Sequence, residues 1–199
     1  MSLVKIVFDG APGTGKSKTL ESIRQFFAMS NNLKQMFNLP TYKVGFVKEA
    51  AWDLFEAQPD IDRGAFSTQR TILDMMIERE TGTENCDIVF IDRGAYSLNV
   101  YEKLFGMQDL SSLKGDIDKL TNSYDMIYLF HPDNVILKND AVRIEDAETR
   151  MNLHRAFLGH LEELGLPHRV LLAENTERAG LIISDILALL QKKNMPVMI

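Results

Sequence analysis

The chain has 199 residues, of which 45% are hydrophobic, so we expect one domain over residues 1–199 with one buried core. Its formal net charge of -6 argues against a surface that binds nucleic acid or anionic lipid, and favours small-molecule partners. A single cysteine excludes an internal disulfide, while the absence of a signal-peptide pattern and of a membrane-spanning apolar run predicts a cytoplasmic protein without a membrane partner.

Five short apolar runs predict β-strands. Each is a continuous stretch of Val, Ile, Leu and Phe rather than an alternation with polar residues, which is typical of parallel strands buried on both faces. The predicted strands are residues 4–8, 43–47, 87–91, 126–130 and 169–172.

Helical patterns alternate with these strands. They cover residues 15–29, 65–81, 97–105, 110–122, 147–164 and 177–192, and the polar residues 30–41 are interpreted as a surface connection. Alternating strands and helices predict an α/β fold, namely a three-layer sandwich of P-loop NTPase type with a mostly parallel five-stranded sheet. The apolar tail from Met195 to Ile199 has two interpretations: it docks or dimerises, which would give a homo-oligomer, or it is a frayed end.

A phosphate-binding loop follows the first strand. Residues 10–17 match the pattern G-x-x-x-x-G-K-[ST] in full, between a strand and a helix as the motif requires. Its backbone N–H groups and the helix N-terminus predict a cradle for ATP, or for GTP. The predicted nucleotide-binding residues are Gly10, Ala11, Pro12, Gly13, Thr14, Gly15, Lys16, Ser17 and, in the first helical turns, Thr19. Lys16 is expected to reach the β- and γ-phosphates and Ser17 to bind Mg²⁺.

Acidic residues follow three of the strands, where open α/β sheets bind their ligands. Asp92 is predicted to organise Mg²⁺, with Arg93 adding a fixed charge; alternatively, Asp92 caps a helix and pairs with Arg93. Glu49 is a candidate base for an acceptor hydroxyl; alternatively, it is a first-turn residue favoured by the helix dipole. Asp9, which precedes the phosphate loop, is interpreted as a local cap.

Cations are also needed around a transferring phosphoryl group. Arg143 and Arg150 are the candidates, in a region of about residues 132–150 that we interpret as a lid, and Arg150 is the better fit to a solvated charge. Three aromatic residues, Trp52, Phe66 and Tyr96, are candidates for stacking on a flat substrate ring or for filling the core.

The ordered set of these motifs resembles a known group. The family it resembles is that of the AAA_28 or NadR-like P-loop kinases, which include ribosylnicotinamide kinase domains and are related to deoxynucleoside kinases. The residues that carry the resemblance are the phosphate loop, Glu49-Ala50-Ala51, Asp92-Arg93-Gly94 and Pro132-Asp133 followed by Asp140-x-x-Arg143. The resemblance covers residues 3–173 and implies a nucleoside or nucleotide kinase-like fold. It also implies that Glu49 addresses the acceptor hydroxyl, Asp92 the metal or a ribose, Arg93 the transferring phosphate and Arg143 the lid.

Three functions compete at this point. The first is an ATP-dependent and Mg²⁺-dependent kinase that phosphorylates a nucleoside-like small molecule. The second is a nucleotide-dependent switch or ATPase module that recruits a protein or lipid, although the chain lacks the Asn/Thr-Lys-x-Asp element that is common in GTP-specific proteins. The third is an oligomeric AAA+ motor, for which little sequence remains after Leu172.

Overall fold

The central sheet of the protein consists of five parallel strands. The computed structural model describes residues 3–36, 41–132, 146–172 and 175–193, with the side chains of residues 175 and 176 excepted. Within these residues the strand order is β2-β3-β1-β4-β5, and every adjacent pair is parallel. The strands are β1 (Val4–Gly10), β2 (Val44–Val47), β3 (Ile88–Asp92), β4 (Met126–Phe130) and β5 (His168–Leu171). The prediction of an α/β fold with a parallel five-stranded sheet is confirmed.

Helices cover both faces of this sheet. They are α1 (Lys16–Met36), α2 (Ala50–Ala57), α3 (Phe66–Thr81), α4 (Ser97–Phe105), α5 (Lys114–Thr121), α6 (Ala147–Glu163) and α7 (Asn175–Lys192), with a 3-10 turn at Ser111–Leu113 before α5. None of the helices in the described ranges is long and apolar enough to cross a membrane. The predicted lid residues 133–145 and the tail from Met195 to Ile199 lie outside the described part of the chain.

The core explains the continuous apolar character of the strands. Ile6 and Phe8 on β1 pack towards α1 and α7, whereas Val7 between them packs towards α4 and α6. A third cluster of buried residues joins α2, α3 and α5 beside the sheet. Since successive strand residues point to opposite faces, burial on both sides requires an unbroken apolar run, and the result is the predicted three-layer sandwich.

Two stretches differ from the sequence prediction. Residues 30–36 continue α1 instead of forming a connection, because the Asn31 amide bonds both backbone groups of Tyr42: it donates to the carbonyl at 2.7 Å and accepts from the N–H at 3.1 Å. Helix α2 was not predicted at all. Its eight residues are too few for a clear helical period, and only Ala50 and Leu54 are buried.

Glu80, at the end of α3, is a carboxylate buried at the opposite end of the sheet from the phosphate loop. Its side chain accepts hydrogen bonds from Lys5 Nζ and from the Tyr124 hydroxyl, both at 2.9 Å. Burial raises the pKa of Glu80 above its usual value of 4.5, although the bonds from Lys5 and Tyr124 oppose this shift. The folded protein therefore holds this proton more tightly than the unfolded chain does.

A pH-dependent contribution to stability follows from this shift. The contribution of Glu80 is fully present below pH 4.5 and is lost as the pH rises through the folded-state pKa. Urea unfolding of the native protein and of Glu80→Gln, which cannot titrate, should show the native protein losing free energy of unfolding relative to the variant over this window. A relative gain with rising pH would contradict the assignment.

Candidate active site

The phosphate loop connects β1 to α1 and has an unusual backbone. Gly10, Gly13 and Gly15 all have positive φ, at 133°, 73° and 87°. Lys16 begins α1 and is 7% exposed, and its Nζ donates to the carbonyls of Gly10 at 2.9 Å and Ala11 at 3.1 Å. Burial and the nearby Arg93 lower the pKa of Lys16, while three neighbouring carboxylates oppose the shift. These positive-φ turns are the conformations that glycine permits and that bring backbone N–H groups round an anion.

The other side chains of the loop are placed differently. Thr14 bonds the Ala11 carbonyl at 2.9 Å, and Thr19 bonds the Gly15 carbonyl at 3.1 Å. Ser17 is exposed at the helix start and lines a cavity. The Thr14 and Thr19 hydroxyls are therefore engaged with loop carbonyls, whereas Ser17 is placed at the cavity.

Gly10 has no room for a side chain. A Cβ there would lie 2.6 Å from the Phe130 carbonyl oxygen on β4, at a φ of +133°. We expect Gly10→Ala to cost at least about 2 kcal/mol of unfolding free energy and to weaken ATP binding, because either β4 or the loop must move. Urea unfolding measures the cost. The matched control is Gly180→Ala in α7, where a Cβ meets nothing within 4 Å and stability should rise by about 0.5 to 1 kcal/mol. Equal stability of the two variants would refute the steric argument.

Arg178 on α7 supports the loop from behind and was not predicted from the sequence. It is fully buried, its Nη1 donates to the Thr14 carbonyl at 2.5 Å, and its guanidinium lies 5.2 Å from the centre of the Phe130 ring. Because a trans peptide directs its carbonyl and its N–H to opposite sides, this bond turns the Gly15 N–H away from Arg178. The two residues are 164 positions apart, and no local sequence signal could have indicated the contact.

A cluster of charges lies beside the loop, at the carboxyl ends of β1, β2 and β3. Arg93 is its centre: Nε donates to Glu49 Oε1 at 2.6 Å, and Nη1 donates to Asp9 Oδ1 at 3.2 Å and to the Tyr101 hydroxyl at 2.9 Å. Burial opposes the charge of Arg93, but Glu49 and Asp9 raise its pKa well above the usual value. Arg93 is therefore a permanently charged clamp that holds Glu49 in one orientation.

This cluster extends one sequence interpretation and corrects another. Asp9 does cap locally, since it accepts the Gly10 N–H at 2.8 Å, but it is also fully buried and paired with Arg93. Among the described residues, the ion pairs of Arg93 are with Asp9 and Glu49, so the alternative in which Asp92 caps a helix and pairs with Arg93 is wrong. Glu49 is the residue before α2, yet its side chain makes no capping bond there.

Asp92 ends β3 next to this cluster. Its Oδ1 is buried and has no hydrogen-bond partner among the residues that the structure describes. Burial raises the pKa of Asp92, Lys16 lowers it, and Glu49 raises it further. A buried carboxylate oxygen without a donor is suited to a cation, because oxygen ligands are those that Mg²⁺ prefers.

A cavity of about 920 Å³ opens in front of the loop and the cluster. The phosphate loop and Lys16 form one end, and Glu49 and Arg93 line the middle. The remaining wall comes from α2, α3 and α4 and is largely apolar and aromatic: Trp52, Phe55, Ile72, Met76, Leu98, Tyr101 and Phe105. Of the three aromatic candidates, Trp52 lines this cavity, whereas Tyr96 is fully buried and Phe66 packs against the third core cluster.

Of the two candidate lid arginines, the structure describes Arg150 but not Arg143. Arg143 lies outside the described residues. Arg150 on α6 is only 3% exposed, so the interpretation of its charge as solvated is wrong. Its Nη2 lies 3.8 Å from the position that a Cβ on Gly13 would take, which places the guanidinium against the phosphate loop.

Comparisons with known proteins agree with this architecture. A family model described as an AAA domain matches residues 5–178. No curated protein matches the sequence. Among solved structures, thymidylate kinase from Ehrlichia chaffeensis is 15% identical with a TM-score of 0.60, over 94% of this chain and 99% of that chain.

Two NadR structures are also similar. NadR in complex with NR is 18% identical with a TM-score of 0.67, and NadR in complex with NAD and AMP-PNP is 19% identical with a TM-score of 0.64. They cover 99% and 98% of this chain, which spans about half the length of the NadR chains, 51% in both cases. The predicted resemblance to the AAA_28 or NadR-like P-loop group is confirmed, and the likeness to these solved structures shows a shared fold.

Proposed function

This chain belongs to the AAA domain family, and from that premise we propose that it is an ATP-dependent kinase that transfers the γ-phosphate to a hydroxyl of a nucleoside-like small molecule. The observation that carries the proposal is the shared cavity of about 920 Å³, in which a phosphate loop and an aromatic wall flank a carboxylate held by an arginine. The volume of this cavity suits a small molecule beside a nucleoside triphosphate.

ATP would bind at the loop end of this cavity. The N–H groups of the loop and the start of α1 supply donors and partial positive charge to the β- and γ-phosphates, and Lys16 supplies a full charge once it exchanges the Gly10 and Ala11 carbonyls for phosphate oxygens. Arg150, buried against Gly13, is a further described cation beside the phosphate loop that would join it. Arg143 stays a proposal from the sequence.

Mg²⁺ fits the residues between the loop and β3. The Ser17 hydroxyl and the carboxylate of Asp92, with its buried Oδ1, would hold it, in the arrangement that P-loop proteins use. When bound, the ion neutralises charge that develops on the phosphate oxygens. Asp92 has to be ionised for this role, and the neighbouring Lys16 favours the ionised form against the effect of burial.

The acceptor would bind against the aromatic wall with its hydroxyl near Glu49. Glu49 is oriented by the 2.6 Å bond from Arg93, and its carboxylate would accept the hydroxyl proton during transfer. Trp52 and Phe55 offer flat apolar surface for a ring. Thymidylate kinase and NadR in complex with NR both concern nucleoside-like molecules, which supports this acceptor class.

ATP consumption across a panel of acceptors tests the proposal. Nucleosides, nucleotides and nicotinamide riboside are each incubated with the protein, ATP and Mg²⁺, and the products are identified by mass spectrometry. We expect one acceptor class to be phosphorylated and ATP consumption to be slow without it. Lys16→Ala is the inactive control.

An independent binding signal comes from Trp52, the only tryptophan of the chain. Its fluorescence should change when the acceptor binds, because it lines the acceptor wall. Tight ATP binding with no phosphorylated product and no change at Trp52 for any compound would overturn the kinase proposal in favour of a nucleotide-dependent switch.

A further inference from the structure

The backbone after β3 is held in an uncommon conformation. Arg93 has a φ of 78°, and it is the non-glycine residue with positive φ in the described parts of the chain. A residue with a side chain is strained in this region and stays there only when its surroundings hold it. The position of the Arg93 guanidinium, and with it that of Glu49, depends on whatever holds this backbone.

Three successive N–H groups are each held by a different partner. The bonds run from Arg93 N to the Phe8 carbonyl at 3.0 Å, from Gly94 N to Asp9 Oδ2 at 3.4 Å, and from Ala95 N to the Tyr124 hydroxyl at 3.0 Å. The first two partners belong to β1, beside the phosphate loop. The third is a side chain that does not line the cavity.

The Tyr124 hydroxyl acts in both directions. It accepts from Ala95 N and donates to Glu80 Oε1 at 2.9 Å, and Glu80 is held in turn by Lys5 at 2.9 Å. Tyr124 and Glu80 are 5% and 2% exposed, so water does not compete for these bonds. Burial raises the pKa of Tyr124 well above its usual value, so the hydroxyl keeps its proton at neutral pH. The Tyr124 ring also packs on the segment after β3, since a Cβ on Gly94 would lie 3.1 Å from Tyr124 Cε2.

We propose that Tyr124, anchored by the buried Glu80–Lys5 pair, is a positioning residue for phosphate transfer, which fixes residues 92–95 and thereby the Arg93 guanidinium and the Asp92 carboxylate. The expected effect on the transfer rate rests on the proposed kinase function, whereas the fixing of residues 92–95 does not. Tyr124 acts through the backbone and touches neither nucleotide nor acceptor. Its removal should therefore alter the rate of transfer more than the binding of ATP.

Tyr124→Phe tests this, with Tyr128→Phe as the matched control. Tyr128 is also buried, at 1% exposed, and its hydroxyl makes one bond to Asp185 at 3.2 Å, away from the loop. Both variants lose one hydroxyl from a buried ring, so a general loss of stability is common to both. Hydrogen exchange of the peptide that contains residues 93–95, followed by mass spectrometry, should quicken at least about tenfold in Tyr124→Phe and not in Tyr128→Phe.

The kinetic readout is the split between kcat and KM. In Tyr124→Phe, kcat should fall about 10- to 100-fold with KM for ATP unchanged, because a small displacement of a catalytic group is costly. Glu80→Gln is a milder second variant, because glutamine keeps an acceptor for the Tyr124 hydroxyl but lacks the carboxylate charge. Its kcat should lie between those of Tyr124→Phe and Tyr128→Phe. If both variants match Tyr128→Phe in exchange and in kcat, Tyr124 is merely structural and the proposal is wrong. If the native protein phosphorylates no acceptor, the proposed kinase function is wrong. The hydrogen-exchange comparison then decides by itself whether Tyr124 fixes residues 92–95.

Discussion

Replacing Glu49 by glutamine should lower the rate of phosphate transfer by about 10²- to 10⁴-fold while leaving ATP affinity nearly unchanged. Glutamine keeps the shape of the side chain, and its carbonyl oxygen still accepts the bond from Arg93 Nε. It cannot accept a proton from the acceptor hydroxyl. The phosphate loop is untouched, so the binding of ATP has no reason to change.

Single-turnover kinetics and calorimetric ATP titration measure the two effects of Glu49→Gln separately. Glu78→Gln is the matched control, because it makes the same chemical change at an exposed position on α3 outside the cavity. Its rate should equal that of the native protein. Undiminished transfer in Glu49→Gln would rule out the assigned role and leave Glu49 as a partner of Arg93 only.

Replacing Arg93 by methionine should remove transfer and also cost about 3 to 5 kcal/mol of unfolding free energy. The loss arises at Asp9, which is fully buried and would be left as a charge without its nearest cation. Glu49 contributes less to the cost, because its side chain is 22% exposed and water can replace the bond from Arg93.

A double variant separates these two effects. In Asp9→Asn with Arg93→Met, the buried charge is gone together with its partner, so most of the stability should return while transfer stays absent. Urea unfolding of the native protein, both single variants and the double variant gives the coupling energy. Additive losses in stability would show that the two residues do not form the pair seen in the structure.

Most of the strands could be predicted from the sequence because burial on both faces leaves an unmistakable apolar run. The prediction of β4 as residues 126–130 coincides with the observed strand, and the others differ by at most two residues at either end. The end of α1 could not be predicted, because the bonds between Asn31 and Tyr42 join it to the chain just before β2, 11 positions away. Helix α2 is short and gains its order by packing in the third core cluster.

The same division holds for the site. The phosphate loop could be predicted because it is local: eight consecutive residues form it between a strand and a helix. The topology also brings Glu49 and Asp92 to one end of the sheet, as predicted from their positions after strands. Which acid pairs with Arg93, and what holds its backbone, are decided by contacts between distant elements. No local pattern in a single sequence predicts such contacts.

The bond between Arg178 and Thr14 also has a consequence for biosynthesis. The phosphate loop leaves the ribosome before its support on α7, which is made more than 160 residues later. A nascent chain that already carries every nucleotide-binding motif therefore still lacks the group that directs the Gly15 peptide. The bond to the Thr14 carbonyl can form only when α7 packs against α1, so during synthesis the phosphate loop should gain this support together with the closing of the core.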